Sequence, residues 1–331
     1  MVVILKFSII LPVEHGGNHL YKALISIKDI DFSPDLFEVI VAGSSEEKEA
    51  EEIVKKIKDV PLKYIESPCP GKSMKINSAC RIAKGDVWCF IDDDCEVFPD
   101  YLNKLQEILN NNKNVGVLGG SDKAEDHCSP LELSVECVLT SFLGTGGIRK
   151  GGGVDKYYPR RWNMAIPREA AFEAALKDEK GQIYFWNEKL EFHAEMEVAK
   201  RIEKTGRNII YAPELIVKHN RTISLIAFAK KQILGTVMAR KIGIYNMPHI
   251  MLSLFTLFMT LSPFLSLFSK RIAFTYVMVI FFYILSIIAV TMKGFFKYKK
   301  IPMLLYIPLL IMIIHFSKGL TYIYLLIREK L

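Results

Sequence analysis

The sequence predicts an α/β domain with a doubly wound, mostly parallel sheet, followed by helices that cross a membrane. Short apolar runs alternate with helical patterns through roughly the first 120 positions, a pattern typical of such a sheet. A strand-like run there ends in three adjacent aspartates, Asp92, Asp93 and Asp94. From residue 248 onward, apolar stretches dominate the chain. We therefore expect a globular domain that carries a polar site and is anchored in a bilayer.

Five apolar runs rich in β-forming residues predict strands of the sheet. They lie at residues 7–13, 37–41, 62–65, 87–91 and 115–119. Apolar residues at helical spacing predict the helices. These lie around residues 20–27 and 53–57 and over 74–83, 99–112 and 131–142. Because ligands of open α/β sheets bind just past the carboxyl ends of the strands, the loops at that edge are the candidate site.

Charge separates the chain into two parts. Residues 1–220 carry a net charge of −6, and residues 221–331 carry +13. A mildly acidic part followed by a basic, apolar part indicates a soluble domain on a membrane anchor. We place the domain at residues 1–220, an amphipathic segment at 221–247 and the anchor at 248–331. Since the basic residues flank apolar runs and form no aromatic-interleaved patch, no nucleic-acid partner is expected.

Three apolar stretches of about 20 residues or more predict membrane spans, because each can cross a hydrocarbon core of about 30 Å. They lie at residues 249–268, 272–292 and 301–327. Four lysines separate the second span from the third, namely Lys293, Lys297, Lys299 and Lys300. This excess of positive charge predicts that the loop and the soluble domain are cytoplasmic, at the cell membrane. Because Pro263 can kink a helix, a re-entrant segment is the alternative to a full span for the first stretch.

The segment ahead of the first span, residues 223–245, mixes apolar residues with Lys230, Lys231, Arg240 and Lys241. A helix of this composition lies along a membrane surface, with its cations toward anionic head groups. An ordinary helix packed on a core is the alternative. We favour the interfacial position, since a predicted span follows at once.

The acidic triplet, Asp92 to Asp94, indicates a cation site. Three adjacent carboxylates repel one another, so they need a bound metal or a basic partner to stay ionised together. Oxygen ligands favour Mg²⁺ or Mn²⁺, and these ions commonly bridge phosphate oxygens. An acidic loop without a ligand is the alternative interpretation.

A glycine-rich segment at residues 144–153 contains six glycines together with Arg149 and Lys150. Backbone N–H groups and cationic side chains in such a segment suit phosphate binding. A mobile loop without a ligand is the alternative, and we favour a loop that faces the substrate.

The six cysteines form no C-x-x-C pair, and several lie in apolar periodic segments. We expect them to be reduced core residues and expect no zinc site. The chain opens into a strand-like run with no cleavage-site pattern after it, so no signal peptide is predicted.

Several short motifs follow one another in a characteristic order. They are Pro70-Gly71-Lys72 with Asn77, Ala83-Lys84-Gly85-Asp86, Phe90-Ile91-Asp92-Asp93-Asp94, Pro99 and Asn163-Met164-Ala165. This series resembles the family 2 glycosyltransferases with the GT-A fold, over residues 5–245. The glycine-rich segment followed by residues 163–169 is similar to the membrane-bound exopolysaccharide branch that includes the ExoA group.

The resemblance implies a nucleotide-sugar donor held by its diphosphate and a divalent metal, Mg²⁺ or Mn²⁺. The implied diphosphate-binding residues are Lys72, Asp92, Asp93 and Asp94. The implied metal ligands are Asp92, Asp94 and His219, the last at the end of the strand that closes the domain. A buried structural histidine is the alternative interpretation of His219.

The family's general base is an aspartate at the start of a helix, and Glu195 falls at that position here. Ala194 replaces the acid that usually precedes it. A carboxylate suits the reaction, because the base takes the proton of the acceptor hydroxyl as the oxygen attacks the anomeric carbon. The added methylene moves the carboxylate by about 1 Å, which lowers the rate unless the backbone compensates. The alternative is an acid that stabilises the helix dipole.

The chain departs from the family pattern at the nucleoside end of the site. The aspartates expected after the second strand are replaced by Ala42-Gly43-Ser44-Ser45, and the first-strand motif is Pro12-Val13-Glu14-His15. The candidate nucleotide-binding residues are therefore Pro12, Glu14 and Ser44, and the nucleotide stays open. The candidate acceptor-binding residues are Arg149, Arg161 and Asn163.

These features predict an inverting, metal-dependent glycosyltransferase that moves one sugar to a lipid-linked or polysaccharide acceptor at the cytoplasmic membrane face. The Q-x-x-R-W motif of processive enzymes is absent after Gln232, and three spans offer little material for a polymer channel. One alternative is transfer to polyprenyl phosphate. Arg149, Arg160 and Arg161 would then bind the phosphate of this anionic acceptor. The other is a catalytically inactive relative that binds a glycan or a partner glycosyltransferase at the membrane, which Ala194 and the replacement at Ala42 to Ser45 suggest.

Overall fold

The computed structural model describes residues 3–124, 128–190 and 192–329. The chain divides into two compact units. The first comprises residues 1–125 and 157–220, and the second comprises residues 126–156 and 221–331. Residues 126–156 thus group with the C-terminal helices. The domain limits predicted from the sequence, at residues 220 and 247, stay predictions.

Ten strands occur among the described residues. They are β1 (Phe7–Pro12), β2 (Phe37–Gly43), β3 (Leu62–Glu66), β4 (Val87–Phe90), β5 (Cys95–Val97), β6 (Val115–Lys123), β7 (Met164–Pro167), β8 (Leu176–Lys177), β9 (Ile183–Tyr184) and β10 (Asn208–His219). All five predicted strands are confirmed, as β1 to β4 and β6. The short β8 and β9 pair with each other, and the other eight form one sheet.

Twelve α-helices accompany these strands in the described part of the chain. They are α1 (Gly17–Lys28), α2 (Lys48–Lys56), α3 (Lys72–Ile82), α4 (Tyr101–Asn111), α5 (Pro130–Leu139), α6 (Phe142–Thr145), α7 (Arg168–Glu173), α8 (Ala194–Lys204), α9 (Leu225–Ile242), α10 (Asn246–Leu265), α11 (Lys270–Tyr298) and α12 (Met303–Arg328). Short 3-10 turns precede β2 and β7 and follow α6.

The large sheet has the strand order β3-β2-β1-β4-β7-β6-β10-β5. Strands β3, β2, β1 and β4 are parallel, as are β6 and β10. Strand β7 runs antiparallel to both of its neighbours, and β5 runs antiparallel to β10. The predicted α/β class is confirmed, and the sheet is mixed. Its parallel half brings the carboxyl ends of β1 and β4 to one edge.

Strand β4 lies in the middle of this sheet and is buried along its whole length. Its continuous apolar run suits this position, because both faces of an interior strand are covered and the side chains on both faces are buried. Gly85 precedes it, and a Cβ there would come within 2.5 Å of the backbone nitrogen of Ser8. Only glycine fits this approach between the start of β4 and its neighbour β1.

The second unit contains three helices that are long and apolar enough to cross a membrane: Met247–Leu265, Lys270–Tyr298 and Met303–Arg328. They coincide with the three predicted spans. Pro263 and Pro308 lie inside α10 and α12. Helices α10 and α12 pack closely at Gly319, where a Cβ would come within 2.1 Å of the Thr256 hydroxyl. Small residues allow such contacts between membrane helices.

Helix α9 also belongs to the second unit, where it packs on α12. Arg240 near its C-terminus pairs with Glu329 at 2.7 Å and donates to the Tyr322 hydroxyl at 3.2 Å. Ile226 on the same helix is 71% exposed. The position of α9 at a membrane surface stays a prediction.

Candidate active site

The three aspartates follow β4 directly and are all buried, with Asp93 fully inaccessible. They lie at the edge of the sheet where β1 and β4 end. A tight turn joins them to β5, because the Cys95 N–H donates to the Asp92 carbonyl at 3.0 Å. Burying three carboxylates costs free energy unless each finds a partner. The structure gives each aspartate a different set of partners.

Asp92 pairs with Arg161, whose Nε lies 2.8 Å from Oδ1 and whose Nη2 lies 3.1 Å from Oδ2. The ammonium of Lys72 lies 3.6 Å from Oδ2. Burial alone would raise the pKa of Asp92, but Arg161 and Lys72 outweigh it and hold that pKa well below its usual range. Asp92 is therefore ionised, and its charge is balanced within the protein.

Asp93 anchors the loop that follows β1. Its Oδ2 accepts the backbone N–H groups of Glu14, His15 and Gly16, at 2.9, 2.7 and 2.8 Å. The His15 Nδ1 lies 3.1 Å from Oδ1. This bond to Asp93 raises the pKa of His15 above its usual value. The oxygens of Asp93 thus hold the loop, and its predicted role in diphosphate binding stays a prediction.

Asp94 contacts His219, the last residue of β10. The Nε2 of His219 lies 3.2 Å from Oδ2 of Asp94, and its Nδ1 lies 3.6 Å from Asp122. Burial tends to raise the pKa of Asp94, but His219 more than offsets it, and the pKa falls to about 2. A backbone bond from the Asn220 N–H to the Asp94 carbonyl, 2.8 Å, fixes the same corner.

Asp94, His219 and Cys95 present donor atoms that all lie within 4.8 Å of one another. A carboxylate oxygen and an imidazole nitrogen are ligands that Mn²⁺ accepts. Asp93 and His15 approach Asp94 similarly, but the Asp93 oxygens already serve the loop after β1. Of the described residues, Asp94 and His219 therefore fit a divalent cation best.

Lys72, the first residue of α3, links two parts of the site. Its ammonium contacts the carboxylate of Glu14 and lies near Asp92. Burial, together with the nearby Arg161 cation, lowers the pKa of Lys72 to about 8. The structure thus joins the predicted diphosphate residues to Glu14, one of the predicted nucleotide residues.

Ser44 lies after β2 and is buried against Glu47. Its backbone N–H and its hydroxyl both donate to Oε2 of Glu47 at 2.6 Å. The other oxygen of Glu47 lies 2.6 Å from Lys75, which also donates to the Val13 carbonyl at 2.7 Å. Glu47 and Lys75 were not among the site residues predicted from the sequence. The one-turn spacing of Lys72 and Lys75 on α3 was the available signal.

Pro12 is the last residue of β1 and pairs with Ala42 in β2. This register brings the two predicted nucleotide stretches, which follow β1 and β2, to the same edge of the sheet. Contacts of Pro12, Glu14 and Ser44 with a nucleotide stay predictions.

Asn163 is buried just before β7. Its amide donates to the carbonyls of Ser121 and Leu215 at 2.8 and 2.7 Å, and its oxygen accepts the Tyr101 hydroxyl at 2.9 Å. Gly120 makes room for it, because a Cβ there would come within 2.1 Å of the amide nitrogen. The side chain joins β6, β10 and α4, and its predicted acceptor role stays a prediction.

Glu195 is the second residue of α8 and is 9% exposed. Arg160 Nη1 lies 3.8 Å from its Oε1 and 3.3 Å from the Met196 sulfur. Arg160 and Arg161 are adjacent, so one short segment contacts both Glu195 and Asp92. The structure therefore brings the predicted base and the aspartate site together through two neighbouring arginines.

Arg149 lies in a 3-10 turn at Ile148–Lys150, within the second unit. Gly146, Gly147 and Gly151 around it adopt positive φ angles of 64°, 81° and 85°. Glycine adopts these angles without strain. Acceptor binding by Arg149 stays a prediction.

The family model for glycosyl transferase family 2 matches residues 8–175. The chain belongs to glycosyl transferase family 2. The match covers the aspartates and Arg161, and it confirms the predicted family. Membership of the ExoA-like branch stays a prediction.

This family 2 chain is similar to the poly(ribitol-phosphate) beta-N-acetylglucosaminyltransferase TarS of Staphylococcus aureus, strains Mu50 and MW2. The two are 28% identical over 103 residues. The match spans 30% of this chain and 17% of that protein.

Two solved structures resemble the family 2 chain. The mannosyltransferase PcManGT from Pyrobaculum calidifontis, solved with GDP-Man and Mn²⁺, has a TM-score of 0.50 at 16% identity and covers 72% of this chain and 65% of that one. Residues 1–349 of S. aureus TarS give a TM-score of 0.47 at 18% identity, over 70% and 64% of the two chains. The chain thus spans less than two thirds of either structure. The likeness to PcManGT shows the shared GT-A fold.

Proposed function

We propose that this protein transfers one sugar from a nucleotide-sugar donor to a lipid-linked or polysaccharide acceptor at the cytoplasmic membrane face, with inversion at the anomeric carbon. The observation that carries the proposal is the short segment at Arg160 and Arg161, which contacts Glu195 on one side and Asp92 on the other. It combines a candidate base with a candidate diphosphate site at one edge of a GT-A sheet. Family membership supports the reaction class.

Asp94 and His219, with Asp92 beside them, are the residues we propose to hold a divalent cation. When bound, such an ion supplies positive charge that stabilises the departing nucleoside diphosphate. Mn²⁺ and GDP-Man in the PcManGT structure support a metal and a nucleotide-sugar donor here. Lys72 adds a cationic side chain at the same place.

Glu195 is the proposed general base. Its carboxylate takes the proton of the acceptor hydroxyl while that oxygen forms a bond to the anomeric carbon. The bond from this carbon to the diphosphate breaks at the same time, and the leaving group keeps the electron pair. Attack from the face opposite the diphosphate inverts the configuration. Arg160 Nη1 lies 3.8 Å from Oε1 of this carboxylate and is placed to orient it.

Arg161 is the proposed positioning residue for Asp92. Its planar guanidinium matches both carboxylate oxygens and fixes their orientation, which a single-point cation does not do. The pairing with Arg161 holds the pKa of Asp92 below its usual range, although burial tends to raise it. We therefore assign Arg161 to the donor side of the site, in addition to its predicted contact with the acceptor.

The proposed cytoplasmic location depends on charge around the apolar helices. Lys293 and Lys297 lie at the end of α11, and Lys299 and Lys300 follow it. Positive residues accumulate on the cytoplasmic side of membrane proteins. With this orientation the first unit is cytoplasmic, because two proposed spans separate it from the lysine-rich loop.

The test is a panel of nucleotide sugars offered to the purified full chain with Mn²⁺ or Mg²⁺, with release of nucleoside diphosphate as the readout. Turnover of one donor, loss of turnover on chelation and an inverted product by NMR are the expected results. No metal-dependent turnover or binding of any donor would contradict the proposal. Phosphate-bearing and neutral acceptors then separate polyprenyl-phosphate transfer from transfer to a sugar hydroxyl.

A further inference from the structure

The backbone carbonyl of Leu143, in α6, lies 2.7 Å from Nε2 of His315 in α12. The other ring nitrogen of His315 lies 3.0 Å from the Tyr283 hydroxyl in α11. His315 is residue 13 of the 26 in α12, and Tyr283 is residue 14 of the 29 in α11. A segment from the middle of the family 2 sequence thus contacts the midpoints of two candidate membrane spans.

These midpoints give the depth of Leu143 if α11 and α12 cross the bilayer. Thirteen helical residues rise about 20 Å, and half of a hydrocarbon core is about 15 Å thick. A group at the midpoint of both helices therefore lies in the hydrocarbon region. The carbonyl of Leu143 reaches this depth without being part of a spanning helix.

The other end of the segment contacts the lysine-rich end of α11. Glu136 of α5 is buried, and its Oε1 lies 3.1 Å from Lys297 Nζ and 2.8 Å from the Tyr298 hydroxyl. Tyr283 and Lys297 are 14 residues apart, or about 21 Å along the helix. The chain between Glu136 and Leu143 thus runs from the end of α11 toward its middle.

The Ser and Thr hydroxyls of this segment are satisfied within it, as a hydrocarbon environment demands. Four hydroxyls donate to carbonyls three to six residues earlier in the chain. They belong to Ser134, Thr140, Ser141 and Thr145, at 2.7, 2.8, 2.7 and 3.0 Å. The hydroxyls of Ser and Thr side chains in membrane helices are satisfied in the same way.

Apolar groups of the segment face outward or pack on the spans. Phe142 is 70% exposed although it is next to Leu143. A Cβ on Gly294 of α11 would come within 3.2 Å of the Cys137 sulfur and 2.6 Å of Ile307, so glycine allows α5 to pack against α11 and α12. Small residues serve this purpose between membrane helices.

We propose that residues 130–145 form a re-entrant segment that enters the bilayer from the lysine-rich side and exposes Phe142 to lipid acyl chains. The partner of this surface is the hydrocarbon of the membrane. The segment lies inside the family match at residues 8–175, so the glycosyltransferase sequence itself contributes a membrane contact besides the three spans. This inference rests on the proposed spans α11 and α12 and not on the catalytic roles.

Tryptophan quenching by brominated lipid tests the segment. The three native tryptophans all lie in the first unit, at Trp88, Trp162 and Trp186. Their emission is subtracted by measuring the unsubstituted protein in the same phosphatidylcholine and phosphatidylglycerol vesicles, brominated near the middle of the acyl chains. Phe142→Trp is compared with Phe281→Trp, which is 53% exposed on α11, and with Tyr21→Trp, which is 44% exposed on α1.

We expect the added emission of Phe142→Trp to be quenched to an extent comparable with Phe281→Trp, while Tyr21→Trp stays unquenched. Quenching of Phe281→Trp but not of Phe142→Trp overturns the re-entrant segment and leaves the spans intact. Absence of quenching at both positions overturns the spans and the segment together. Sugar transfer is assayed separately, so a failure of the catalytic proposal is distinguished from either result.

Cysteine labelling gives a second readout if the tryptophan variant does not fold. Phe142→Cys is exposed to a charged maleimide in membranes that are open to both faces. Cys69 is an exposed cysteine of the first unit and is the internal control. We expect Cys69 to react at once and the new cysteine to react only after detergent is added. Equal rates for the two cysteines without detergent would overturn the proposal.

Discussion

Arg161 holds Asp92 by two bonds, from Nε to Oδ1 at 2.8 Å and from Nη2 to Oδ2 at 3.1 Å. These residues are 69 positions apart in the chain, and both are shielded from solvent. A two-point pair fixes the plane of the carboxylate as well as its charge. The orientation of the first aspartate of the triplet therefore depends on a residue outside the motif.

Replacing Arg161 by lysine tests this dependence. Arg161→Lys keeps the positive charge and loses the two-point geometry, so we expect kcat/KM for the donor to fall about 10- to 100-fold. Arg81→Lys, at an exposed position on α3, is the matched control and should leave kcat/KM unchanged. Steady-state kinetics with the donor varied gives the comparison. An unaltered kcat/KM in Arg161→Lys would show that the two-point pair has no function in donor use.

Glu195→Gln tests the proposed base. The amide keeps the shape of the side chain but accepts no proton, so we expect transfer to slow by about 10² to 10⁴. Donor binding, measured by calorimetry with Mn²⁺, should stay within about twofold of the wild type, because Glu195 acts on the acceptor.

Glu179→Gln, in an exposed loop of the first unit, is the control for Glu195→Gln and should behave as the wild type. Glu195→Asp shortens the side chain to the aspartate that the family uses, and its activity reports whether the backbone of α8 already compensates for the longer glutamate. Wild-type transfer by Glu195→Gln would rule out the base assignment.

Asp93→Asn tests the anchor of the loop after β1. Asp93 accepts three backbone N–H groups, and an amide lacks the charge that strengthens those bonds. We expect a loss of about 2 to 3 kcal/mol in the free energy of unfolding of the first unit. Denaturant titration followed by tryptophan emission measures it. A stability within about 0.5 kcal/mol of the wild type would contradict the anchoring role.

Lys75 is 1% exposed and pairs with Glu47, so Lys75→Met leaves Glu47 without its cation. Breaking one partner of a buried pair typically costs about 3 to 5 kcal/mol, and partial exposure of Glu47 should place the loss at the lower end. Lys48→Met, at an exposed position of α2, is the control. If the pair matters, Lys75→Met combined with Glu47→Gln recovers part of the loss, which a double-mutant cycle detects.

Glu47 also predicts a pH dependence of stability. Burial raises its pKa, but hydrogen bonds from Lys75 and Ser44 outweigh this, and the folded pKa lies below the ordinary 4.5. A carboxyl with a lowered pKa stabilises the fold above its unfolded pKa and loses that contribution as pH falls through the folded pKa. The wild type should therefore lose more stability than Glu47→Gln when the pH falls below about 4.5. Parallel loss in both proteins would exclude this contribution.

The fold was predictable where it depends on local pattern. The apolar run of β4 and the turn residues around it predict the buried strand. The end of that run also predicts that Asp92 lies just past the strand. Strand β7 was not predicted, because its antiparallel position between β4 and β6 depends on pairings across the chain. Residues 130–145 show a helical pattern, but their partners in α11 and α12 are more than 140 positions away.

The site residues also divide into those that the sequence predicts and those whose contacts depend on distant parts of the chain. Asp92, Asp94 and His219 were predicted as metal ligands from the family resemblance. The structure places His219 3.2 Å from Asp94, and the metal-binding role stays a prediction. Arg161 was predicted on the acceptor side, and its bonds to Asp92 were not foreseen, since no local pattern links the two. Asn163 belongs to the motif series. The sequence does not reveal that its amide donates hydrogen bonds to two backbone carbonyls inside the sheet.

Asp94 and His219 are proposed to form a metal-dependent donor site. The most direct test is the initial rate of Mn²⁺-dependent nucleoside diphosphate release by the wild type and by Asp94→Asn, with Asp35→Asn, at an exposed position, as control. We predict that Asp94→Asn loses at least about 100-fold in rate, while Asp35→Asn retains the wild-type rate. An Asp94→Asn protein that turns over the donor at the wild-type rate would contradict the claim.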